Sequence, residues 1–322
     1  MSDYSSKHAD MKGNKTRQSW FRSLADSDKT LGWLFTLPFL ILWAWWFLYP
    51  FIQSFVRSFQ DANFAALDQA KFIGLENYVT ILQDKEFFRA LLHSLEIVVI
   101  SIPIQTLLGL LLAILVNQKL KGKGIFRTVF FIPYITSQIA ITTVFMMLFK
   151  QGTFLTKFFG ALGFGNVTWF ADTSYALLFV CILFIFQQAG FTMIVYLSGL
   201  QEIPKDLYEA GEIDGASKWN KFRYITVPFL KPITFFIVSV STIAGFQIYD
   251  QIAAISRYGA LGSPAGATST VVTYFYQHGI RYMNIGYGSA AVVLFFMIIM
   301  LITYLQKNSW MRRSESNVDP NE

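Results

Sequence analysis

The sequence predicts an all-α integral membrane protein with six transmembrane helices. Of its 322 residues, 54% are hydrophobic and only 14% are charged, whereas a soluble domain keeps about a quarter of its residues charged. Because an α-helix needs about 20 apolar residues to cross the hydrocarbon core, each long stretch without Asp, Glu, Lys or Arg predicts one span. Six such stretches occur: residues 30–56, 97–118, 128–149, 173–201, 232–249 and 282–306.

The first and fifth stretches need a separate justification. Residues 30–56 are too long for the apolar core of a secretory signal, and no A-x-A cleavage site follows them, so we interpret them as an uncleaved anchor. Residues 232–249 form the shortest stretch, and we expect that helix to extend to Ile255, with Asp250 near its outer end. Pro133 in the third span is expected to bend its helix.

The distribution of basic residues predicts that both termini face the cytoplasm. Of the 26 Lys and Arg residues, 18 lie in the segments 7–29, 119–127, 205–231 and 307–313, and eight lie in the alternate segments. Cytoplasmic loops carry this excess, and an even number of spans requires the same orientation. We therefore predict a cytoplasmic N-terminal tail (1–28), a membrane domain (29–306) and a cytoplasmic C-terminal tail (307–322). Because the basic clusters alternate with apolar stretches, a bilayer explains the net charge of +6 better than a nucleic-acid partner.

The predicted outer segment, residues 57–93, contains an amphipathic pattern. Apolar residues recur at helical spacing in GLENYVTILQDKEFFRALLHS, residues 74–94. Such a pattern is typical of a short helix that lies on a membrane surface.

The predicted cytoplasmic segment after the fourth span, the coupling loop (residues 201–231), collects charge and small residues. Pro204 suits a first helical position, and Gly215 suits a left-handed turn at the helix end. A second amphipathic piece, SKWNKFRYI (residues 217–225), is expected to stop at Pro228. From these patterns alone, a helix that transmits movement to a partner and a helix that only anchors a loop at the interface are equally compatible.

The coupling loop resembles the EAA loop found in permease subunits of binding-protein-dependent ABC importers. That motif reads E-A-A, three residues, G, nine residues and I-x-L-P. The matching residues are Glu209, Ala210, Gly211, Gly215, Ile225, Val227 and Pro228. Gly replaces Ala at the third position, and Val replaces Leu before the proline. Both replacements leave the helix and its terminal turn possible.

The resemblance extends over nearly all of the chain after residue 28. It includes FIGLENYVTILQD, FRTVFFIPYITS, WFADTSYALLFV, GFQIYDQIAAIS and GYGSAAVVLFF, and it is similar to the MalF-type subunits of the carbohydrate-importer branch. It implies the type I permease architecture of ABC importers in a bacterial cell membrane. The implied partners are a second, MalG-type permease, an ABC ATPase dimer, an extracytoplasmic solute-binding protein, membrane lipid and a sugar or oligosaccharide.

The same resemblance implies which residues of the coupling loop meet the ATPase. In this family the EAA loop forms a helix that docks on the ATPase subunit. The corresponding docking residues here are Glu209, Ala210, Gly211 and Gly215, with Asp214 as a nearby ionic contact.

The chemistry that the sequence lacks argues against an enzyme. No G-x-x-x-x-G-K-[ST] occurs, so the chain has no phosphate-binding loop of its own. His8, His93 and His278 are far apart, and Cys181 is the one cysteine, so we expect no metal site and no cofactor. The charge-free stretches also lack the carboxylates that ion-coupled transporters usually keep inside their spans.

Polar residues within the fourth and fifth spans are candidates for the lining of a solute pathway. They are Gln187, Gln188, Phe246, Gln247, Tyr249 and Asp250. Amides and aromatic rings suit a neutral, hydroxyl-rich solute. In the alternative interpretation, Gln187 or Gln247 makes a hydrogen bond to another helix of the bundle.

Two other functions remain open at this point. An ion-coupled secondary transporter would carry solute without ATP. A membrane enzyme acting on a lipid-linked sugar would need acidic or His groups gathered near one interface, and the sequence shows no such group.

Overall fold

The computed structural model describes residues 28–118, 122–164, 166–256 and 260–315. The described residues divide into two units, with the boundary between residues 56 and 57. In the first unit, α1 (Asp28–Trp43) continues through a π-helical turn (Ala44–Leu48) into α2 (Tyr49–Arg57). The segment Gly32–Arg57 is long and apolar enough to cross a membrane. Apart from Asp28, the predicted N-terminal tail lies outside the described residues.

The second unit is a helical bundle with one small hairpin. Its elements are β1 (Gln60–Asn63), β2 (Ala66–Phe72), α3 (Glu76–Gln83), α4 (Lys85–Asn117), α5 (Lys123–Ile135), α6 (Gln138–Leu148), α7 (Phe154–Ala161), a 3₁₀ turn (Trp169–Ala171), α8 (Ala176–Glu202), α9 (Lys205–Ile213), α10 (Lys218–Lys221), a π turn (Phe222–Thr226), α11 (Val227–Phe246), α12 (Asp250–Ile255), α13 (Val271–Phe275), a second π turn (Tyr276–Arg281) and α14 (Ile285–Glu315). Helix α14 thus continues past residue 306, where the membrane domain was predicted to end.

The predicted spans are recovered, with two corrections: the third is bent, and the fifth, expected as one helix to Ile255, is interrupted between Phe246 and Asp250. Four candidate spans in this unit are Lys85–Asn117, Ala176–Glu202, Lys218–Ile255 and Ile285–Trp310. The third predicted span, residues 128–149, is two helices, α5 and α6, at an angle of 98°. The chain is extended between them, and Pro133 in the last turn of α5 has no N–H to donate. Among the described residues there are five spans, or six if the bent pair counts as one.

The hairpin is a departure from the all-α prediction. Strands β1 and β2 are antiparallel, with Gln60 opposite Phe72. The Asn77 amide donates to the carbonyl oxygens of Ser58 and Gln60 at 3.0 and 2.9 Å, and the Phe64 N–H donates to Met283 O at 2.7 Å. The strands are short and contain no β-branched residues. These non-local hydrogen bonds hold them in place, and no local sequence pattern predicts such bonds.

The amphipathic segment 74–94 is also different from its prediction. It is two helices, because α3 ends at Gln83 and Asp84 caps α4 by accepting a hydrogen bond from the Glu86 N–H at 2.8 Å. Its second half is the start of a span and not a separate surface helix.

Helix α8 lies at the centre of the packing. A Cβ atom on Gly190 would collide with the backbone of Phe130 in α5, and one on Gly109 in α4 would collide with Thr192. On another face, Gly199 lies against Ile233 of α11. Three glycines therefore allow α4, α5 and α11 to approach α8 closely, as small residues do in membrane bundles.

Candidate functional site

The coupling loop contains an exposed helix, α9, with a well-defined end. The Ala216 N–H donates to Gly211 O at 2.8 Å and the Gly215 N–H to Glu212 O at 3.1 Å. These two bonds form a Schellman motif, which needs a left-handed residue after the helix. Gly215 has φ of 72°, which confirms the predicted left-handed turn. Pro204 is the residue before the helix rather than its first residue.

Two contacts fasten α9 to the segment that follows it. The Lys221 ammonium lies 2.6 Å from a Glu212 carboxylate oxygen. The Tyr208 and Thr226 hydroxyls are hydrogen-bonded at 2.8 Å. The bond from Lys221, followed by its charge, lowers the pKa of Glu212. Sequence reasoning overlooked these four residues, since their pairing across 9 and 18 positions gives no local signal.

The prediction that Pro228 stops the second amphipathic piece is wrong. Helix α10 continues through the π turn into α11 without interruption, and Pro228 lies in the first turn of α11. A proline cannot donate the backbone hydrogen bond from residue i to residue i−4. It is tolerated next to a π turn, where that hydrogen-bond pattern is already interrupted. The coupling loop is therefore joined to the fifth span by continuous helix.

The predicted docking residues form an accessible surface. Glu209, Ala210, Asp214 and Gly215 are exposed, whereas Gly211 is half-buried. A Cβ atom on Gly211 would lie 3.4 Å from Ile225, so the alanine of the EAA motif would fit there.

One apolar side chain on this surface was overlooked. Ile213, in the last turn of α9, is 87% exposed. A single exposed apolar side chain is normal on a protein surface, so Ile213 does not by itself mark an interface. The EAA motif leaves this position unspecified, so no sequence pattern pointed to it.

A cavity lies where two helix breaks meet inside the bundle. Its nine lining residues define the amide cavity: Tyr134, Gln138, Phe184, Gln187, Gln188, Ala244, Gln247, Ile248 and Gln251, around a volume of about 80 Å³. Tyr134 and Gln138 flank the break between α5 and α6, and Gln247 and Ile248 occupy the break between α11 and α12. Irregular backbone inside a membrane is tolerated where it lines such a cavity.

An amide pair forms one wall of the cavity. The Gln251 side-chain N–H donates to Gln187 Oε1 at 2.8 Å, and both residues are buried. Gln187 Nε2 and Gln251 Oε1 have no hydrogen-bond partner among the described residues. The pair thus bonds two helices and also leaves one donor and one acceptor unused, which is the combination that a hydroxyl group requires.

The predicted pathway residues divide into two groups. Gln187, Gln188 and Gln247 line the amide cavity, but Phe246, Tyr249 and Asp250 are absent from its lining. The Phe246 side chain is fully buried against Phe295, with ring centroids 5.9 Å apart. The Tyr249 ring packs on Tyr276 at 5.1 Å, and Asp250 is exposed at the start of α12.

The cavity has further residues that the sequence analysis did not single out. Tyr134, Gln138 and Gln251 join the lining because the helix breaks bring them there. The spacing of four between Gln247 and Gln251 was a usable signal, since in the uninterrupted helix expected to Ile255 it would place both amides on one face. No Asp, Glu, Lys or Arg lines the cavity, and the described residues contain no group of three His, Cys, Asp or Glu that could hold a metal ion.

Comparison with known proteins supports one family. Residues 105–313 match the family model described as "Binding-protein-dependent transport system inner membrane component". The chain is 34% identical to an arabinooligosaccharides transport system permease protein of Bacillus subtilis, over 90% of this chain and 91% of that protein. It is 31% identical to a lactose transport system permease protein of Rhizobium radiobacter (85% and 92%) and to a trehalose/maltose transport system permease protein of Thermococcus litoralis (86% and 92%).

Solved structures share the fold. A bacterial ABC transporter involved in the import of the acidic polysaccharide alginate has a chain with a TM-score of 0.71 and 20% identity, covering 91% of this chain and 99% of that one. The same transporter type in complex with an alginate pentasaccharide-bound periplasmic protein gives a TM-score of 0.74 with 90% and 98% coverage. At this identity, the likeness concerns the fold alone.

Proposed function

The chain belongs to the family of binding-protein-dependent inner membrane transport components, and we propose that it forms half of the pathway of an ATP-driven sugar importer. It is a multi-pass membrane protein and a transport permease. The relatives named for arabinooligosaccharides, lactose and trehalose/maltose support a sugar as the cargo. We assign ATP hydrolysis to a separate ABC ATPase dimer and delivery of the sugar to an extracytoplasmic solute-binding protein.

The observation that carries this proposal is the exposed, internally fastened coupling loop. Glu209, Ala210, Asp214 and Gly215 present an accessible surface, and the Glu212–Lys221 and Tyr208–Thr226 contacts keep its shape. A helix shaped in advance loses little conformational freedom on binding, which favours a tight and rigid contact. The ATPase dimer is the partner that fits a family of ATP-driven importers.

The amide cavity supports a neutral, hydroxyl-rich solute. Its Gln187–Gln251 pair leaves one donor and one acceptor free, and no charged side chain lines it. Its volume of about 80 Å³ is smaller than the roughly 300 Å³ at which ligand pockets begin. A second, MalG-type permease therefore completes the solute site in our proposal.

The proposed orientation places both tails and the coupling loop in the cytoplasm of a bacterial cell. The excess of Lys and Arg in these segments supports it. A coupling loop on the extracellular side could not meet an ATPase in the cytoplasm. The docking role therefore requires this orientation.

The docking role is tested with charge and backbone variants of the coupling loop. Glu209→Lys and Gly215→Pro should insert in the membrane, yet fail to co-purify with the ATPase or to show solute-stimulated ATP hydrolysis. Glu76→Lys, at an exposed position in α3 on the predicted outer side, is the matched control and should retain both. Full transport by both loop variants would refute the docking role.

A further inference from the structure

A second cleft lies on the side of α9 that faces the helical bundle, where two spans end. Its lining residues define the inner cleft: Ile114, Asn117, Gln118, Leu200, Tyr208, Phe222 and Thr226, around a volume of about 300 Å³. The spans Lys85–Asn117 and Ala176–Glu202 both end at this level. The cleft is therefore at a membrane–water boundary, and the coupling loop forms one of its walls.

The walls of the inner cleft combine apolar and polar groups. Ile114, Leu200 and Phe222 supply apolar surface, while Asn117 and Gln118 supply exposed amides. The Tyr208–Thr226 hydrogen bond, which fastens the coupling loop, lies in the lining as well. This division suits a molecule with one apolar and one polar part, such as a membrane lipid.

Two cations near the start of α5, Lys123 and Arg127, form no ion pair within the described residues. The Lys123 ammonium donates to the carbonyl oxygen of Asn117 at 3.2 Å, which places it at the rim. Arg127 follows one helical turn later in α5, and its buried Nε has no hydrogen-bond partner among the described residues. Within the described part of the chain, the one ion pair joins Lys221 and Glu212. Cations left unpaired at a membrane boundary attract anionic lipid headgroups.

The backbone at the start of α5 adds to this attraction. The helix begins at Lys123 after Gly122, whose left-handed conformation (φ 82°) offers no side-chain cap. The first turn of an α-helix leaves N–H groups unpaired, and these groups favour a phosphate. A phosphodiester at the rim would thus meet the Lys123 ammonium and this helix end together.

We propose that the inner cleft binds an anionic phospholipid, with its phosphodiester at Lys123 and Arg127 and the upper part of an acyl chain along Ile114, Leu200 and Phe222. Since Tyr208, Phe222 and Thr226 belong to the coupling loop, the bound lipid would set the position of that loop. Lipid charge then becomes a regulator of how well ATP hydrolysis is coupled to transport. The effect on coupling rests on the proposed function, whereas the binding itself does not.

The binding is tested on the assembled transporter, with both permeases and the ATPase dimer present. Native mass spectrometry after extraction from vesicles of phosphatidylcholine and phosphatidylglycerol measures the retained phosphatidylglycerol. The double variant Lys123→Gln, Arg127→Gln should bind it about 30-fold more weakly, from about 1 kcal/mol per cation. The matched control, Lys150→Gln with Lys157→Gln on the predicted outer side, should bind like the unaltered protein. Equal retention by all three proteins would overturn the proposal.

A second variant keeps the test decisive if the double variant does not assemble. Ile114→Trp fills the cleft without changing charge and should also lower phosphatidylglycerol retention, and unchanged retention would count against the site. Inorganic phosphate should not compete, because the acyl contacts are part of the site. If Gln118→Cys cross-links to the ATPase or the partner permease equally well with and without phosphatidylglycerol, the cleft is a protein interface and the proposal fails.

The coupling effect is measured as the ratio of sugar transported to ATP hydrolysed. In the unaltered transporter this ratio should differ several-fold between vesicles with and without phosphatidylglycerol, and the Lys123→Gln, Arg127→Gln variant should lose that difference. Transport that is active but equal in both lipids would overturn the regulatory role alone. Absence of sugar transport in both lipids would instead refute the proposed function, and lipid retention would still decide the binding site.

Discussion

The coupling loop and the amide cavity, the proposed docking surface and the proposed solute site, are built in opposite ways. The coupling loop exposes its proposed docking residues and satisfies several of its own polar groups, through the Schellman motif and the Glu212–Lys221 pair. The amide cavity buries its recognition residues and leaves polar atoms of Gln187 and Gln251 without partners. The difference fits the two proposed roles: a docking surface gains from being rigid before contact, and a solute site needs spare hydrogen-bonding groups for its ligand.

The largest expected effect comes from the close packing beside the cavity. Gly190→Ala should destabilise the assembled permease by up to about 3 kcal/mol, because a Cβ atom there meets the backbone of Phe130 and forces α5 from α8. Gly211→Ala in the coupling loop is the control, since its Cβ atom meets Ile225 at an ordinary 3.4 Å. Thermal unfolding of the purified complex measures both. Equal melting temperatures of the Gly190→Ala and Gly211→Ala variants would contradict the prediction that α8 is packed more tightly than the coupling loop.

The next effect concerns the amide pair. Gln187→Leu should lower the kcat/KM of sugar transport about 10- to 100-fold, which corresponds to about 1–3 kcal/mol for an amide left without its partner. ATPase binding should not change. Gln83→Leu, at an exposed position in α3, is the control. The double variant Gln187→Leu, Gln251→Leu should fall short of additivity, because the two side chains share one bond. Strictly additive losses would mean that the pair does not act as a unit.

A smaller effect is expected at the end of α9. Gly215→Ala should weaken ATPase binding about fivefold, or about 1 kcal/mol, because alanine resists a φ of 72°. No atom lies within 4 Å of its Cβ position, so strain is the sole cause. Gly211→Ala should bind the ATPase at least as well as the unaltered chain, since alanine favours a helix interior. Similar losses in both variants would indicate crowding at the docking surface instead of backbone strain.

The smallest effect is a pH dependence of the coupling loop. Lys221 lowers the pKa of Glu212 below its ordinary 4.5. A carboxyl with a lowered pKa stabilises the folded loop above its unfolded pKa and loses that contribution as pH falls through the folded pKa. The Glu212–Lys221 contact should therefore open below pH 4.5, which the fluorescence of the nearby Trp219 can follow. The Glu212→Gln variant should lack this transition, and its persistence there would assign it to another group.

Sequence reasoning recovered the parts of this fold that depend on composition. The spans follow from charge-free stretches, and the left-handed Gly215 follows from the position of a glycine after a helix. It did not find the hairpin, which is held by non-local bonds such as Phe64 to Met283. It found the bend at Pro133 but not its extent, since an angle of 98° depends on packing against α8.

The residues of the candidate site were also predicted only in part, because some of them are placed by non-local packing. Gln187, Gln188 and Gln247 are polar residues in apolar stretches, which made them visible in the sequence. Phe246 was expected beside them, but one helical position turns a side chain by about 100°, and it lies in the apolar core. Gln138 reaches the cavity through a helix break, and no periodic pattern anticipates a break.

The π turn at Phe222–Thr226 has a mechanical consequence. Since it joins α10 to α11 without a gap, the wall of the coupling loop and the Gln247 edge of the amide cavity are two ends of one stiff rod. The 20 residues of α11 alone contribute about 30 Å to the length of that rod. In the proposed importer, a displacement of the coupling loop by the ATPase would therefore be carried along this helix to the edge of the amide cavity.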